Sequence, residues 1–210
     1  MNRCVFLAPL ALALGLGACA SAPVQYYTLS APSAYATTAE QPAAFLIDVL
    51  PVGVPAPLDQ PQWVVRQGDS GIAVLDDQRW AGPLGDELRS ALSVELTHRL
   101  DTQDIAGLAR PAGKSTLRIK LQVRRFDAWP GQRVQLGADW SLGFADEADS
   151  AQLVCGGLFE QAAAGGSPEL ARAQQRMVAA LAARIATDAR RLSSSRGALC
   201  SGGLAGGRSL

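Results

Sequence analysis

Histidine is almost absent from this sequence of 210 residues: His98 is the only one. Thiols are also few, at Cys4, Cys19, Cys155 and Cys200. Metal centres and activated nucleophiles are built from clusters of His, Cys and acidic side chains, and no such cluster with a recognisable spacing is present. We therefore expect neither an enzyme nor a protein that holds a metal or another cofactor.

Net charge is absent too, because Lys and Arg total 19 and Asp and Glu total 19. Proteins that bind nucleic acid concentrate positive charge on one surface, so the balance argues against a nucleic-acid partner. Long apolar runs are missing as well. After residue 18, no segment is apolar over the roughly 20 residues that a transmembrane helix needs.

The first 18 residues have the organisation of an export signal. Arg3 supplies a positive charge, and residues 4–18 carry no charge at all. The run ends in Leu16-Gly17-Ala18-Cys19, which resembles the lipobox of bacterial lipoprotein precursors. We predict cleavage before Cys19 and acylation of its thiol and amine, with palmitate among the acyl groups, so that membrane lipid holds the chain. An ordinary signal peptide with a chance Cys near the cut is the alternative.

Composition divides the rest of the chain into three parts. Residues 19–44 form the lipidated Cys and a segment rich in Ala, Pro, Ser and Thr, which predicts a flexible tether interrupted by a short strand at Tyr26-Tyr27-Thr28-Leu29. Residues 45–195 form the folded domain. Residues 196–210 are rich in Gly and Ser, which predicts a disordered tail.

Cys155 and Cys200 are the two thiols left once Cys4 is removed and Cys19 is acylated. An oxidising compartment outside the cytoplasm permits a disulfide between them. A buried free Cys155 with an exposed Cys200 is equally compatible with the sequence, so both alternatives stay open here.

Apolar periodicity predicts one α+β domain. Two long helices, from Pro83 to Leu100 and from Ser167 to Leu192, each carry a single apolar stripe. Alternating or apolar runs predict strands at 45–50, 62–67, 71–75, 117–124, 134–144 and 153–161. Each helix needs a sheet on which to bury its stripe. We therefore predict two layers, with a mostly antiparallel or mixed β-sheet packed against the two helices.

Two segments imitate catalytic motifs. Gly68-Asp69-Ser70-Gly71 is similar to the nucleophile segment of trypsin-like proteases, but its only available base, His98, follows the serine instead of preceding it. A hairpin turn is therefore the preferred interpretation. Ala112-Gly113-Lys114-Ser115 has the end of a phosphate-binding loop but lacks the first glycine and the following helix, which favours a loop before a strand.

A basic row follows that loop, at Arg118, Lys120, Arg124 and Arg125. Such a row is typical of the solvated face of a strand. Contact with anionic lipid headgroups is the second interpretation.

After the lipobox and the Tyr26-Tyr27 pair come Leu58-Asp59-Gln60-Pro61-Gln62 and then Arg79-Trp80-Ala81-Gly82-Pro83-Leu84. This succession resembles the ABC-type transport auxiliary lipoprotein family, the PqiC- and YmbA-like lipoproteins, most specifically over residues 52–100. The resemblance implies a non-enzymatic periplasmic domain that works with an ABC permease, its ATPase and an MCE-domain protein. Trp63, Arg66, Arg79 and Trp80 match the family pattern, either as core residues or as contacts to a partner.

The resemblance implies an accessory lipoprotein for lipid transport between the two membranes of a Gram-negative bacterium. It would dock or scaffold the transport complex, and a homo-oligomer is expected by analogy. Ala20 is not the Asp that commonly retains lipoproteins in the inner membrane, so we expect the outer membrane. An activator or scaffold of a periplasmic cell-wall synthase is the alternative function.

Overall fold

A computed structural model describes residues 23–32, 41–145, 152–195 and 197–202. The predicted signal peptide and Cys19 lie outside the described residues. The elements along the described chain are β1 (Gln25–Tyr27), β2 (Leu46–Val49), a 3₁₀ turn (Ala56–Leu58), β3 (Gln62–Gln67), β4 (Gly71–Trp80), α1 (Leu84–Leu100), β5 (Thr116–Trp129), β6 (Arg133–Phe144), β7 (Leu153–Ala162) and α2 (Ser167–Ser194).

The larger sheet has four strands in the order β2-β5-β6-β7. β2 runs parallel to β5, whereas β5, β6 and β7 are antiparallel neighbours. On β6 the buried positions alternate from Val134 to Leu142, as the sequence pattern predicts. One face of this sheet therefore supplies the core and the other meets solvent.

Both helices pack on the buried face of that sheet. α2 lies across β6 and β7, and α1 contacts α2 and β2. The predicted stripes are buried, including Leu88, Leu92 and Leu96 on α1 and Met177 and Leu181 on α2. The two-layer α+β prediction is confirmed, with a mixed sheet and two long helices among the described residues.

A smaller sheet has the order β1-β4-β3. The predicted hairpin is formed by β3 and β4, which pair antiparallel around a turn at residues 68–70. β4 continues to Trp80, five residues beyond the run that predicted it, because its second half pairs in parallel with β1. This long strand carries the chain from the hairpin to the start of α1.

β1 lies inside the range for which the sequence predicts a tether. Its three residues pair with Gln78–Trp80, and Leu29 just beyond it is buried in the core. Glu87 in the first turn of α1 accepts hydrogen bonds from the Thr28 hydroxyl at 2.7 Å and the Leu29 amide at 2.8 Å. Residues 25–29 are thus part of the folded body, although their composition and that of their surroundings is typical of a linker.

The segment after α2 is also packed in part. Cys200 forms a disulfide with Cys155 of β7, with a Cα–Cα distance of 5.8 Å. The Ser201 amide donates a 2.6 Å hydrogen bond to Asp188 of α2. Residues 197–202, which the sequence assigns to a disordered tail, are therefore held against the domain by one covalent bond and one buried acceptor.

Candidate functional site

A cleft opens between the β3–β4 hairpin, the 55–58 turn and residues 124–127 of β5, and we call it the hairpin cleft. Its volume is about 450 Å³, within the range of small-molecule sites in proteins. Leu58, Val64 and Ile72 give it an apolar lining, and Ser70 lies at the hairpin end. Ile72 is 54% exposed, so an apolar side chain faces solvent at its mouth.

A β-bulge supplies the cationic side of the cleft. The pairing of β5 with β6 is regular up to Val123, skips Arg124 and resumes at Arg125. An extra residue of this kind shifts the alternation of faces by one. Arg124 and Arg125 are consequently both exposed, and Phe126 and Ala128 take over the buried positions. Regular alternation would have left only one of the two arginines on this surface.

Ion pairs fix the arginines around Asp127. The Arg66 Nε donates to Asp127 Oδ1 at 2.7 Å, and the Arg125 Nε approaches Oδ2 at 3.2 Å. The Asp127 side chain is only 10% exposed, and its carboxylate oxygens are paired as polar atoms in such a position generally are. Arg124 pairs instead with Asp139 of β6 at 2.8 Å. The hairpin and β5 are thus tied together across the cleft.

The two tryptophans of the family-like segment belong to the core. Trp63 and Trp80 are both almost wholly buried, with ring centroids 4.9 Å apart. Tyr27 of β1 packs on Trp63 at 4.6 Å, and Phe126 lies 6.2 Å from Trp80. This aromatic cluster joins both sheets, so it supports the cleft from beneath rather than lining a partner surface.

The arginines of the same segment have different positions. Arg66 lines the hairpin cleft, as described above. Arg79 is half-buried near the end of β4, where its backbone lies between Tyr26 of β1 and Gln62 of β3. Of the four residues that match the family pattern, Trp63, Arg66, Arg79 and Trp80, only Arg66 lines the cleft. Sequence reasoning missed Asp127, although an Asp between Phe126 and Ala128 in a buried strand was a signal of a paired carboxylate.

The residues of the segments that resemble catalytic motifs lie on separate elements. Ser70 is in the hairpin turn and His98 is in the last turn of α1, while Lys114 lies in the loop before β5, as predicted. No group of three or more His, Cys, Asp or Glu side chains in the described ranges is arranged to hold a metal ion. Within those same ranges, neither helix is long and apolar enough to cross a bilayer.

Fold and cleft together define a two-layer α+β domain with a mixed apolar and cationic surface site. The chain matches the family of ABC-type transport auxiliary lipoprotein components over residues 27–186, and it belongs to that family. Membership implies a membrane-anchored periplasmic lipoprotein, and the family is not a class of enzymes.

Solved structures share the fold. A crystal structure of an uncharacterised protein aligns with a TM-score of 0.62 at 20% identity, covering 79% of this chain and 98% of the other. Protein XCC0632 from Xanthomonas campestris, assigned to the DUF330 family, aligns with a TM-score of 0.60 at 15% identity, covering 78% and 93%. Identities this low establish the architecture alone. No curated protein matches the chain.

Proposed function

We propose that the protein is the accessory lipoprotein of an ABC/MCE-type system that moves lipids between the inner and outer membranes. It would dock or scaffold the MCE-domain protein, permease and ATPase at the outer membrane, itself held there by acylated Cys19. The observation that carries the proposal is the family match, which spans residues 27–186 and so includes both sheets and most of α2. A homo-oligomer around the transport channel is part of the proposal.

The position of β1 supports a docking role. Five residues separate Cys19 from Gln25, where the folded body begins. Even a fully extended chain of that length reaches roughly 20 Å at about 3.3 Å per residue. A domain held this close to its acyl chains stays at the membrane surface, where a docking protein has to act.

The test is purification of the tagged, lipidated chain from solubilised membranes, followed by identification of its partners by mass spectrometry. We expect an MCE-domain protein with its permease and ATPase. A Cys19→Ser variant serves as the control, because it keeps every described residue but loses the thiol for acylation. We expect it to leave the outer-membrane fraction and to recover less of the complex.

Two results would contradict the proposal. One is recovery of a cell-wall synthase in place of the transport proteins, which would establish the alternative function. The other is fractionation of the lipidated chain with the inner membrane, which would contradict docking at the outer membrane.

A further inference from the structure

The hairpin cleft combines an apolar surface with a cationic one. One wall is apolar, with Leu58, Val64 and Ile72. The guanidinium groups of the cleft come from Arg66, which lies directly across from Ile72 in the same hairpin, and from Arg124 and Arg125 on the facing wall formed by β5. A ligand that satisfies both walls has an apolar chain and an anionic head.

Charge in the cleft is not balanced by the protein itself. Three guanidinium groups, of Arg66, Arg124 and Arg125, meet two carboxylates, of Asp127 and Asp139. One positive charge is therefore in excess at a partly enclosed surface. Such a site attracts an anion more strongly than an exposed, isolated arginine does.

The arginines also keep hydrogen-bond donors for a ligand. All three pair with their carboxylates through Nε, and Arg125 uses Nη1 for Gln135 as well. A guanidinium carries five N–H groups in a planar fork suited to carboxylate and phosphate oxygens. The Nη groups of Arg66 and Arg124 thus form the best receptor for an anionic head.

Asp127 acts as a positioning residue for this receptor. Its nearly buried carboxylate holds Arg66 from the hairpin and Arg125 from β5 at once. Arginine side chains that are already ordered lose less conformational freedom when a ligand binds. The bulge and the ion pairs therefore prepare the cleft before any ligand arrives.

We propose that the hairpin cleft binds an anionic lipid, with its phosphate or carboxylate head at Arg66 and Arg124 and an acyl chain along Leu58, Val64 and Ile72. This inference goes beyond the proposed function, because docking of a transport complex requires no ligand in the cleft. If no partner were purified, the lipid-binding proposal would still stand. If no lipid bound, the proposed docking function would still stand.

The experiment is calorimetric titration of the mature chain carrying Cys19→Ser, at lipid concentrations below micelle formation. Three probes separate the two parts of the ligand: lysophosphatidylglycerol, lysophosphatidylcholine with the same acyl chain, and inorganic phosphate. We expect saturable binding of lysophosphatidylglycerol that weakens as salt is raised. We expect the other two probes to bind at least about tenfold more weakly, since each satisfies one wall only.

Matched variants locate the site. Arg124→Gln removes an exposed guanidinium from the cleft, and Arg118→Gln removes one from the same strand outside it. Ile72→Ser shortens the apolar wall, and Val154→Ser likewise replaces an exposed β-branched apolar side chain, on β7 and outside the cleft. We expect Arg124→Gln and Ile72→Ser each to weaken lysophosphatidylglycerol binding about tenfold, and both controls to bind normally. Thermal unfolding of every variant checks that the fold is kept.

Several outcomes would overturn the proposal. Equal binding of the anionic and zwitterionic lysolipids would remove the anion site, and equal binding of phosphate would remove the apolar one. An equal loss in Arg118→Gln would show general surface attraction. Absence of binding of either lysolipid would likewise refute a lipid site. If an acidic apolar peptide, titrated as a fourth probe, bound in their place, the cleft would be a protein-docking groove.

Discussion

Asp188 is a carboxylate at a position with no exposed surface, in the middle of the apolar face of α2. It accepts the Trp140 indole N–H of β6 at 3.1 Å and the Ser201 amide at 2.6 Å. One side chain thus joins the helix, the large sheet and the C-terminal segment. Its role is to accept hydrogen bonds from a buried indole N–H and a half-buried amide, and these bonds satisfy a polar side chain in the core.

We predict that Asp188→Ala lowers the free energy of unfolding by about 2–4 kcal/mol, because the buried Trp140 indole N–H and the half-buried Ser201 amide lose their acceptor. Urea unfolding followed by tryptophan fluorescence measures the loss. Asp188→Asn is the matched control, since its one amide oxygen still accepts a hydrogen bond, and it should lose less. Equal losses in both variants would show that charge, rather than acceptor geometry, is what the site requires.

The family pattern left two roles open for Trp63, as a core residue or as a contact to a partner. Because its ring is buried between Tyr27 and Trp80, we predict that Trp63→Ala costs about 3–5 kcal/mol of stability, as large truncations in cores do. Trp129→Ala is the control: that ring is only partly buried and should cost less. A Trp63→Ala variant of full stability that no longer recovered a partner would instead identify a contact residue.

At the scale of elements, β5 shows where sequence reading succeeds and where it stops. The alternation from Leu117 to Val123 predicted the strand and its buried face correctly. The same alternation, continued, would place Arg125 in the core. Instead, one extra residue of β5 in its pairing with β6 moves the following side chains to the opposite face of the sheet. The sequence of β5 alone does not specify the position of this bulge, because the bulge depends on the pairing with β6.

The candidate site depends on that reversal, so it could not be predicted as a whole. Arg66 and the basic row were visible in the sequence, but their meeting at Asp127 is a product of long-range packing. The short strand at residues 26–29 was predicted, but it was assigned to a tether instead of the folded body for a related reason. Its parallel pairing with Gln78–Trp80 comes from a strand some fifty residues away, while its own surroundings have the composition of a linker.

The Cys155–Cys200 disulfide connects β7 to the segment after α2 across a sequence separation of 45 residues. Closing a loop of that length restricts the unfolded chain, which corresponds to about 4 kcal/mol as an upper value. We predict that Cys200→Ser lowers the free energy of unfolding by about 2–4 kcal/mol. A reducing agent should destabilise the parent chain by the same amount and leave the variant unchanged. If the reducing agent also lowered the unfolding free energy of the Cys200→Ser variant, its effect would not come from this disulfide.

Glu169, in the first turn of α2, makes the stability of the fold depend on pH. Hydrogen bonds from Arg172, then from Arg176, hold its pKa below the usual 4.5. Since the folded-state pKa is the lower one, the carboxylate favours folding above its unfolded pKa, and this contribution disappears as pH falls through the folded pKa. We predict that Arg172→Gln raises the Glu169 pKa measured by NMR titration. Arg191→Gln, in the last turn of the same helix, should leave it unchanged.

For the molecule as a whole, the decisive quantity is the distance between the predicted acyl anchor and the folded body. Composition predicted 25 residues of tether after Cys19, with a reach of about 80 Å. Because β1 pairs with β4, only five residues lie in the sequence between Cys19 and the first strand. If Cys19 is the anchor, a connection this short restricts the height of the domain above the membrane, and with it the height of the proposed docking surface.

Lengthening this connection tests whether the height matters. We predict that about 20 Gly and Ser residues inserted between Ser21 and Ala22 leave the unfolding free energy unchanged, because the insertion precedes β1. The flexible insert adds an average reach of about 25 Å. Acylation should also persist, whereas recovery of the transport complex from membranes should fall, since the docking surface is no longer held at one height. A scrambled insert of the same length in the 146–151 segment controls for chain length alone. Undiminished recovery with the long connection would mean that the anchor only retains the domain at the membrane, and that the docking surface finds its partner without being positioned.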